Sequence, residues 1–401
     1  MSGSRNRKSN VYNFNKEPKR VSDDNEDKLY LKTLLNYKPF NGIDYTVLII
    51  VILLIMFGLI MVFSSSYYYA MTEEKFGFNK FHFFNRQLRW ALVGIVAMIG
   101  CMSINVSLLR RFSGLAYMVI IAILAVVLVI GVTTKGSNRW LDILGTSFQP
   151  SELAKFVIII FMSNLVIKYK HYLNGDFKEF ILCALPLGLA FILIASENLS
   201  TGLVVMAVGI MIMFVASNKI KNFFICLGMA VAAFILLIIV APYRMARITG
   251  WLDPWSDPTD TGYQIIQSLY AVASGGLFGI GIGQSRQKTF IPESYNDIIY
   301  AIICEELGLI GAFVVIILFA LLIWRGIKIA MTAKDKYASY MATGIITMIA
   351  VQVIINIAVV TNSIPNTGMP MPFISYGGTS LVVMMASIGL LLNISRDCKD
   401  L

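Results

Sequence analysis

Apolar residues in this chain run in long unbroken blocks, and polar residues are confined to the stretches between them. A bilayer core takes roughly 20 apolar residues per helix, within a range of about 17 to 25. Ten blocks meet or approach that length: Ile43–Phe63, Trp90–Ser107, Leu115–Val132, Ser151–Ile167, Phe180–Ser196, Thr201–Ser217, Asn222–Ala241, Asp297–Trp324, Ala338–Val360 and Gly378–Ser395. A backbone in lipid must satisfy its own hydrogen bonds, which leaves helices or a closed barrel. Barrel strands alternate apolar and polar positions, and these blocks do not. The pattern predicts an all-α polytopic membrane protein of about ten transmembrane helices.

Composition points the same way. Of 401 residues, 57% are hydrophobic and only 14% charged, and the mean hydropathy is +0.73. A soluble chain carries about a quarter charged residues, so a water-soluble enzyme, a disordered chain and a disulfide-stapled domain are all excluded. The net charge of +10 becomes informative once it is sorted by side. With the N-terminus inside, the inner connections hold Arg110 and Arg111, then Lys168, Lys170 and Lys178, then Lys219 and Lys221. Arg325, Lys328, Lys334 and Lys336 follow, and Arg396 and Lys399 end the chain. Lys and Arg in short loops mark the cytoplasmic side, so both termini are cytoplasmic. The basic surplus is topological, and no nucleic-acid partner is expected. The first outer connection, with Lys75, Lys80, Arg86 and Arg89, is a mild exception.

The expected organisation is a polar cytoplasmic tail over 1–42, a transmembrane domain over 43–395 and a short inner tail over 396–401. The N-terminal tail has no apolar core of the kind a signal peptide needs. Cys101, Cys183, Cys226 and Cys304 fall in spans and Cys398 in the last tail, with no metal-ligand spacing.

Polar chemistry gathers on the outer side. The connection between the seventh and eighth spans, 242–296, is far longer than ordinary loops. It carries Arg244, Arg247, Arg286 and Lys288 against Asp253, Asp257, Asp260 and Glu293, among several aromatic residues. Its glycine run from Gly275 to Gly283 lacks the strand–loop–helix setting of a nucleotide loop, and reads as a re-entrant or close-packed segment. Asp297 opens the eighth span, either as a helix cap or as a reactive carboxylate. On a continuous helix Glu305 and Glu306 would lie about 12 Å deeper. Ala301, Cys304, Gly308 and Gly311 would then share the face of Asp297. Carboxylates at that depth are functional candidates or a structural pair neutralised by partners. Pro150 precedes a helix start at which Glu152 and Lys155 can pair across one turn. The last outer loop, Pro365 to Gly378, cannot be helical through its prolines.

The strings Gly250-Trp-Leu-Asp-Pro-Trp255, Gly262-Tyr-Gln264, Ser274-Gly-Gly276, Gln287-Lys288, Pro292-Glu293, Asp297 and Glu305-Glu-Leu-Gly308 occur in order. They are joined by Arg139-Trp140, Phe148-Gln-Pro-Ser-Glu152 and Pro372-Phe-Ile-Ser-Tyr-Gly-Gly378. Together, over roughly 43–395, they resemble the SEDS family of shape, elongation, division and sporulation proteins, typified by FtsW, RodA and SpoVE, and most closely the FtsW and SpoVE types. Two departures stand out. Tyr295-Asn296 precede the aspartate where the family commonly has His-Thr, and Glu197-Asn198-Leu199-Ser200-Thr201 replaces a common Pro-Asp-Leu-Gly-Thr.

The resemblance implies a peptidoglycan glycosyltransferase. Such a protein polymerises lipid II at the outer face of the bacterial cytoplasmic membrane beside a class B penicillin-binding protein and other division, sporulation or elongation proteins. An FtsW-like member would sit at the septum. Asp297 matches the family's essential aspartate and is the expected general base. The expected substrate-binding set is Lys288, Arg286, Gln287, Arg244, Arg247, Glu293, Tyr263, Gln264, Arg139, Trp140, Ser375 and Tyr376. Glu152, Lys155, Glu305 and Glu306 are expected as structural intramembrane residues. The departing diphosphate needs positive charge from Arg and Lys or from a divalent cation such as Mg2+ or Mn2+, and no resident metal site is read from the residues. A lipid II flippase and a non-catalytic scaffold are the alternatives.

Overall fold

The computed structural model describes the backbone of residues 42–398 except 131, 135–136, 144–145, 220, 226–227, 229–241 and 260–261; side chains are described over the same residues except 129–148, 242–244 and 246–247. The polar N-terminal tail and most of the seventh expected span, Asn222–Ala241, lie outside the described residues.

Helix α1, Tyr45–Thr72, starts where the Asp44 carboxylate accepts the N–H groups of Thr46 and Val47 at 2.9 and 3.2 Å. This satisfies donors that a helix start leaves orphaned. There follow α2 (His82–Ser103), α3 (Val106–Ile130), α4 (Pro150–Lys168), α5 (Phe177–Ala195) and α6 (Leu199–Ala216). Two helices, α7 (Pro242–Leu252) and α8 (Tyr263–Ser274), lie in the long outer connection. The chain then forms α9 (Ile299–Thr332), α10 (Lys336–Val360) and α11 (Gly378–Ser395). Eight of the described helices are long and apolar enough to cross a membrane. Charged residues in its outer turns keep α2 from being one of them.

Three boundaries differ from the hydropathy reading. Helix α1 runs past Phe63 because Ser64, Ser65 and Ser66 turn inward and are buried; the Ser65 hydroxyl donates to the Met61 carbonyl at 2.7 Å. Helix α2 begins at His82 instead of Trp90, since Phe83 and Gln87, one turn apart, are buried and draw the polar first turns into the bundle. Helix α3 begins at Val106 instead of Leu115, with Arg110 bonded to Asn164 of α4 at 3.3 Å. The connection after α3 is also not purely helical or irregular. It forms an antiparallel meander of β1 (Val132–Thr134), β2 (Ser137–Ile143) and β3 (Thr146–Phe148), whose β-branched first strand favours that form.

Close helix packing rests on small residues, as usual in membranes. Gly389 of α11 lies against the Met98 backbone of α2, and Gly344 of α10 meets Ile159 of α4 and Ile212 of α6. At the end of the bundle opposite Asp297, Arg325 Nε of α9 meets the buried Asp44 carboxylate at 2.9 Å. The Asp44 N–H donates to Ser395 Oγ of α11 at 3.0 Å.

The eighth expected span is not one continuous helix. Gly308 sits at φ 65°, ψ −166° and breaks α9. The peptide groups freed there are taken by the glycine run. Ile280 and Gly281 donate to the Glu305 and Glu306 carbonyls at 3.0 Å each, and the N–H groups of Leu309 and Ile310 donate to Gly276 and Leu277 at 2.9 and 3.2 Å. A methyl group on Gly275, Gly279 or Gly308 would strike the opposing backbone, so glycine is required on both sides of this seam. The helix-cap position falls on Ile298, leaving Asp297 outside α9. The shared face drawn from Asp297 through Gly311 therefore does not exist.

Candidate active site

Asp297 is half-buried at the outer end of α9. Its backbone carbonyl accepts from Asn356 Nδ2 of α10 at 2.7 Å, and the same amide donates to the Met369 carbonyl at 2.8 Å. Gly368, at φ +64°, stands beside the carboxylate; a Cβ there would lie 3.6 Å from Asp297 Oδ2. So the last outer loop forms the wall facing Asp297.

That loop and the turn leading into it are held from five directions, four of them through side chains. The Ser200 hydroxyl donates to Thr367 at 2.9 Å, Asn366 donates to Gln264 Oε1 at 2.7 Å, and the Trp251 indole donates to Asn362 at 2.9 Å. Gln87 donates to the Ser375 carbonyl at 3.1 Å and accepts the Gly377 N–H at 3.2 Å. The Tyr376 N–H donates to the Tyr295 carbonyl at 2.9 Å. Met369, Met371, Phe373 and Ile374 are buried, and Gly58, midway along α1, packs on the backbone of Phe373 and Ile374. The proline-rich loop therefore reaches membrane depth, where irregular backbone survives because protein encloses it. Glu293 (φ 51°), Asn362 (φ 54°) and Phe373 (φ 63°) are non-glycine residues held left-handed around this site, local strain of the kind found at functional sites.

A second cluster lies on the stretch leading to Asp297. The Glu305 carboxylate accepts the Ser285 hydroxyl, the Arg286 N–H at 3.0 Å, and the Gln287 N–H at 3.3 Å to its nearer oxygen. Glu306 accepts the Ser64 hydroxyl at 2.6 Å and the Ser285 N–H at 3.3 Å. Lys288 Nζ lies 3.4 Å from Glu306, 2.6 Å from the Gly283 carbonyl and 4.6 Å from the Tyr67 ring centroid. Burial pushes this ammonium below the usual lysine range, while Glu306 and then Glu305 pull it back. On a continuous helix Glu306 would point nearly opposite the face of Asp297. Both carboxylates instead grip one loop and aim Arg286, whose side chain is exposed.

Gln264 spends its Oε1 on Asn366, and the buried Ser375 hydroxyl accepts the Met371 N–H at 2.7 Å. Tyr376 packs edge-on against Phe83 and Tyr295 at 5.3 and 5.5 Å. Burial raises its phenol, and Arg86 and Arg89 lower it. Tyr263, Gln287 and Glu293 are half-buried on the long connection. Glu152 and Lys155 form a buried pair at 2.8 Å in the first turns of α4, with no other hydrogen-bond partner for either charged atom among the described residues. Arg139 and Trp140 lie on β2 and Arg244 and Arg247 on α7, and their side chains are outside the described residues. Sequence reasoning missed Asn356 and Gln87, whose amides read as ordinary span and loop residues. It also counted Arg86 and Arg89 only as loop charge. Among the described residues no three of His, Cys, Asp and Glu gather closely enough to hold a metal ion.

The helical fold is shared with solved RodA structures. RodA from Thermus thermophilus superposes with a TM-score of 0.67 at 21% identity, over 90% of this chain and 100% of the other. A chain of a peptidoglycan synthase complex, described for its coordination of polymerization and crosslinking, gives 0.73 at 22% identity over the same shares. Residues 45–400 match the cell cycle protein family of FtsW, RodA and SpoVE, and the chain belongs to that family. The stage V sporulation protein E of Bacillus subtilis (strain 168) is 43% identical over 325 residues, 79% of this chain and 88% of that protein. A probable peptidoglycan glycosyltransferase FtsW from Geobacter sp. (strain M18) is 37% identical over 337 residues, 82% of this chain and 91% of that protein.

Proposed function

We propose that this chain is a peptidoglycan glycosyltransferase that polymerises lipid II at the outer face of the bacterial cytoplasmic membrane, with Asp297 as general base. The observation that carries the reading is the half-buried Asp297 facing Gly368 across a site built from two irregular segments at membrane depth, in a chain that matches the family from 45 to 400.

The acceptor sugar hydroxyl attacks the anomeric carbon of a lipid-linked donor. A new C–O bond forms as the bond to the diphosphate breaks, and the hydroxyl proton passes to Asp297, as general base catalysis requires. A single displacement inverts the anomeric carbon. Charge on the leaving diphosphate is met by cations at the outer mouth. The exposed Arg286 is the foremost of these, supported by Arg86 and Arg89, with Arg244, Arg247 and Arg139 as further candidates. Tyr263, Gln287, Glu293, Trp140 and Tyr376 complete the proposed substrate-binding set, while Lys288, Gln264 and Ser375 shape it from behind. A divalent cation arriving with the diphosphate would add charge there, and the step above runs on the chain's own groups.

The proposed topology is ten spans with both termini cytoplasmic. The proposed partner is a class B penicillin-binding protein, within a septal or forespore assembly suggested by the sporulation and FtsW relatives. The transport reading draws little from Glu305 and Glu306, since partners seal both carboxylates. The deciding assay supplies purified protein, its penicillin-binding partner and labelled lipid II, and resolves glycan strands on a gel. Asp297→Asn is expected to cut product formation by about 100-fold or more. Full activity in that variant overturns the base assignment, and a silent wild type, where a related polymerase works, overturns the polymerase reading.

A further inference from the structure

Asn356 takes no part in the chemistry above, yet it makes the one side-chain bridge among the described bonds between the backbone of Asp297 and the wall opposite. It is fully buried on α10. Its two amide hydrogens are spent on the Asp297 and Met369 carbonyls, while its Oδ1 has no hydrogen-bond partner among the described residues. The residue is therefore held in place for its donors. Donation to two carbonyls from one planar NH2 is something a carboxylate, a hydroxyl or an aliphatic side chain of this size does not provide.

The need for such a bridge follows from the surrounding backbone. Asp297 lies before the first turn of α9, outside helical hydrogen bonding, and Met369 follows the left-handed Gly368 in a loop that cannot be helical. Neither carbonyl has a place in a regular ladder, and a buried carbonyl left unpaired costs about 1–3 kcal/mol. By satisfying both from the rigid α10, one amide fixes the separation of the base from Gly368.

We infer that Asn356 is a positioning residue for the glycosyl transfer, setting the distance between the Asp297 carboxylate and the last outer loop. The inference rests on the reading of Asp297 as the base. Asn356→Leu keeps the shape and removes both donors. Its kcat for labelled lipid II, per folded molecule, falls about 10-fold to 100-fold, with KM within about twofold, as expected when a catalytic group is misplaced by an ångström or less. Hydrogen–deuterium exchange supplies a readout independent of turnover: uptake rises in peptides covering 293–298 and 366–372 and stays at the wild-type level over 280–288. Ile345→Ala, deeper on α10, serves as a control of comparable thermal destabilisation and reproduces neither effect. The inference is overturned if Asn356→Leu matches that control in kcat and in its exchange map, or if exchange rises evenly across the chain. Should the wild type polymerise nothing, the functional reading fails while the exchange comparison still decides whether the amide holds the two segments.

Discussion

An ammonium group enclosed by Glu306, the Gly283 carbonyl and the Tyr67 ring presents little surface to a diphosphate. Its residue type suggested a clamp, but the Lys288 side chain is only 3% exposed. Removing one partner of a buried ion pair strands the other charge and costs about 3 kcal/mol or more. Lys288→Met is therefore expected to lower thermal stability in detergent by that order while leaving KM of the surviving folded fraction unchanged. Arg286→Ala should do the opposite, raising KM for lipid II with no shift in the melt, because the side chain is exposed and the loop is fixed through its backbone. A Lys288→Met protein of normal stability and raised KM would reverse these two assignments. The difference was not legible in the sequence, since Arg286 and Lys288 are two residues apart and of equal charge. What separates them is which way the turn between Ser285 and Phe290 faces, and this is set by carboxylates on another element. Asp297 was legible as a polar residue at a span boundary, where the family resemblance favours a base over a helix cap, and the cap position of α9 falls on Ile298 instead.

At the level of elements, the apolar blocks gave the last helix, Gly378–Ser395, with both ends in place. They misplaced the ends of α1 and α2, where Ser64 and Gln87 are buried against partners brought by distant segments. Hydropathy scores such residues as exposed because the partner is not local. The break at Gly308 was hidden for the same reason: Glu305-Glu-Leu-Gly308 reads as an ordinary helix interior until the glycine run is laid beside it. The seam needs a left-handed residue with no side chain on the α9 side. Gly308→Ala is expected to destabilise the fold by about 1–3 kcal/mol from backbone strain alone, with a further loss from contact with the Leu277 and Gly279 backbone. Thermal melts of purified protein check this, and an unchanged melting temperature would mean that the seam is not tight. Gly100, within the regular helix α2 and with open space where a Cβ would stand, is the comparison position for a substitution without the left-handed penalty.

Across the whole molecule, the candidate site and the opposite end of the bundle share helices α1, α9 and α11, and at that opposite end these are joined through Asp44. Its carboxylate caps α1 and meets Arg325, while its N–H reaches Ser395. Asp44→Ala removes the cap and the ion pair together, so a stability loss of about 1–2 kcal/mol is expected from the cap alone. Reversing both charges, Asp44→Arg with Arg325→Asp, should recover the part due to the pair but not the cap. Melting temperatures of the two single variants and the double variant test this, and complete recovery in the double variant would remove the capping role.

The interruption at Gly308 also bears on how the protein enters the membrane. The part of α9 from Leu309 to Thr332 is long enough by itself, at about 1.5 Å per residue, to cross a core of about 30 Å. The acidic stretch Glu305-Glu306 need not be threaded through lipid as part of an isolated helix, where each carboxylate would carry its full insertion penalty. It can instead fold afterwards onto Ser64, Ser285 and Lys288. In a glycosylation-mapping assay, a segment starting at Leu309 is expected to insert at least as efficiently as one starting at Ile299, and markedly poorer insertion of the shorter segment would defeat the idea. On this view the broken helix lets the ribosome deliver a span free of acidic residues, and leaves the acidic half to be added from the outer side once its counter-groups are in place.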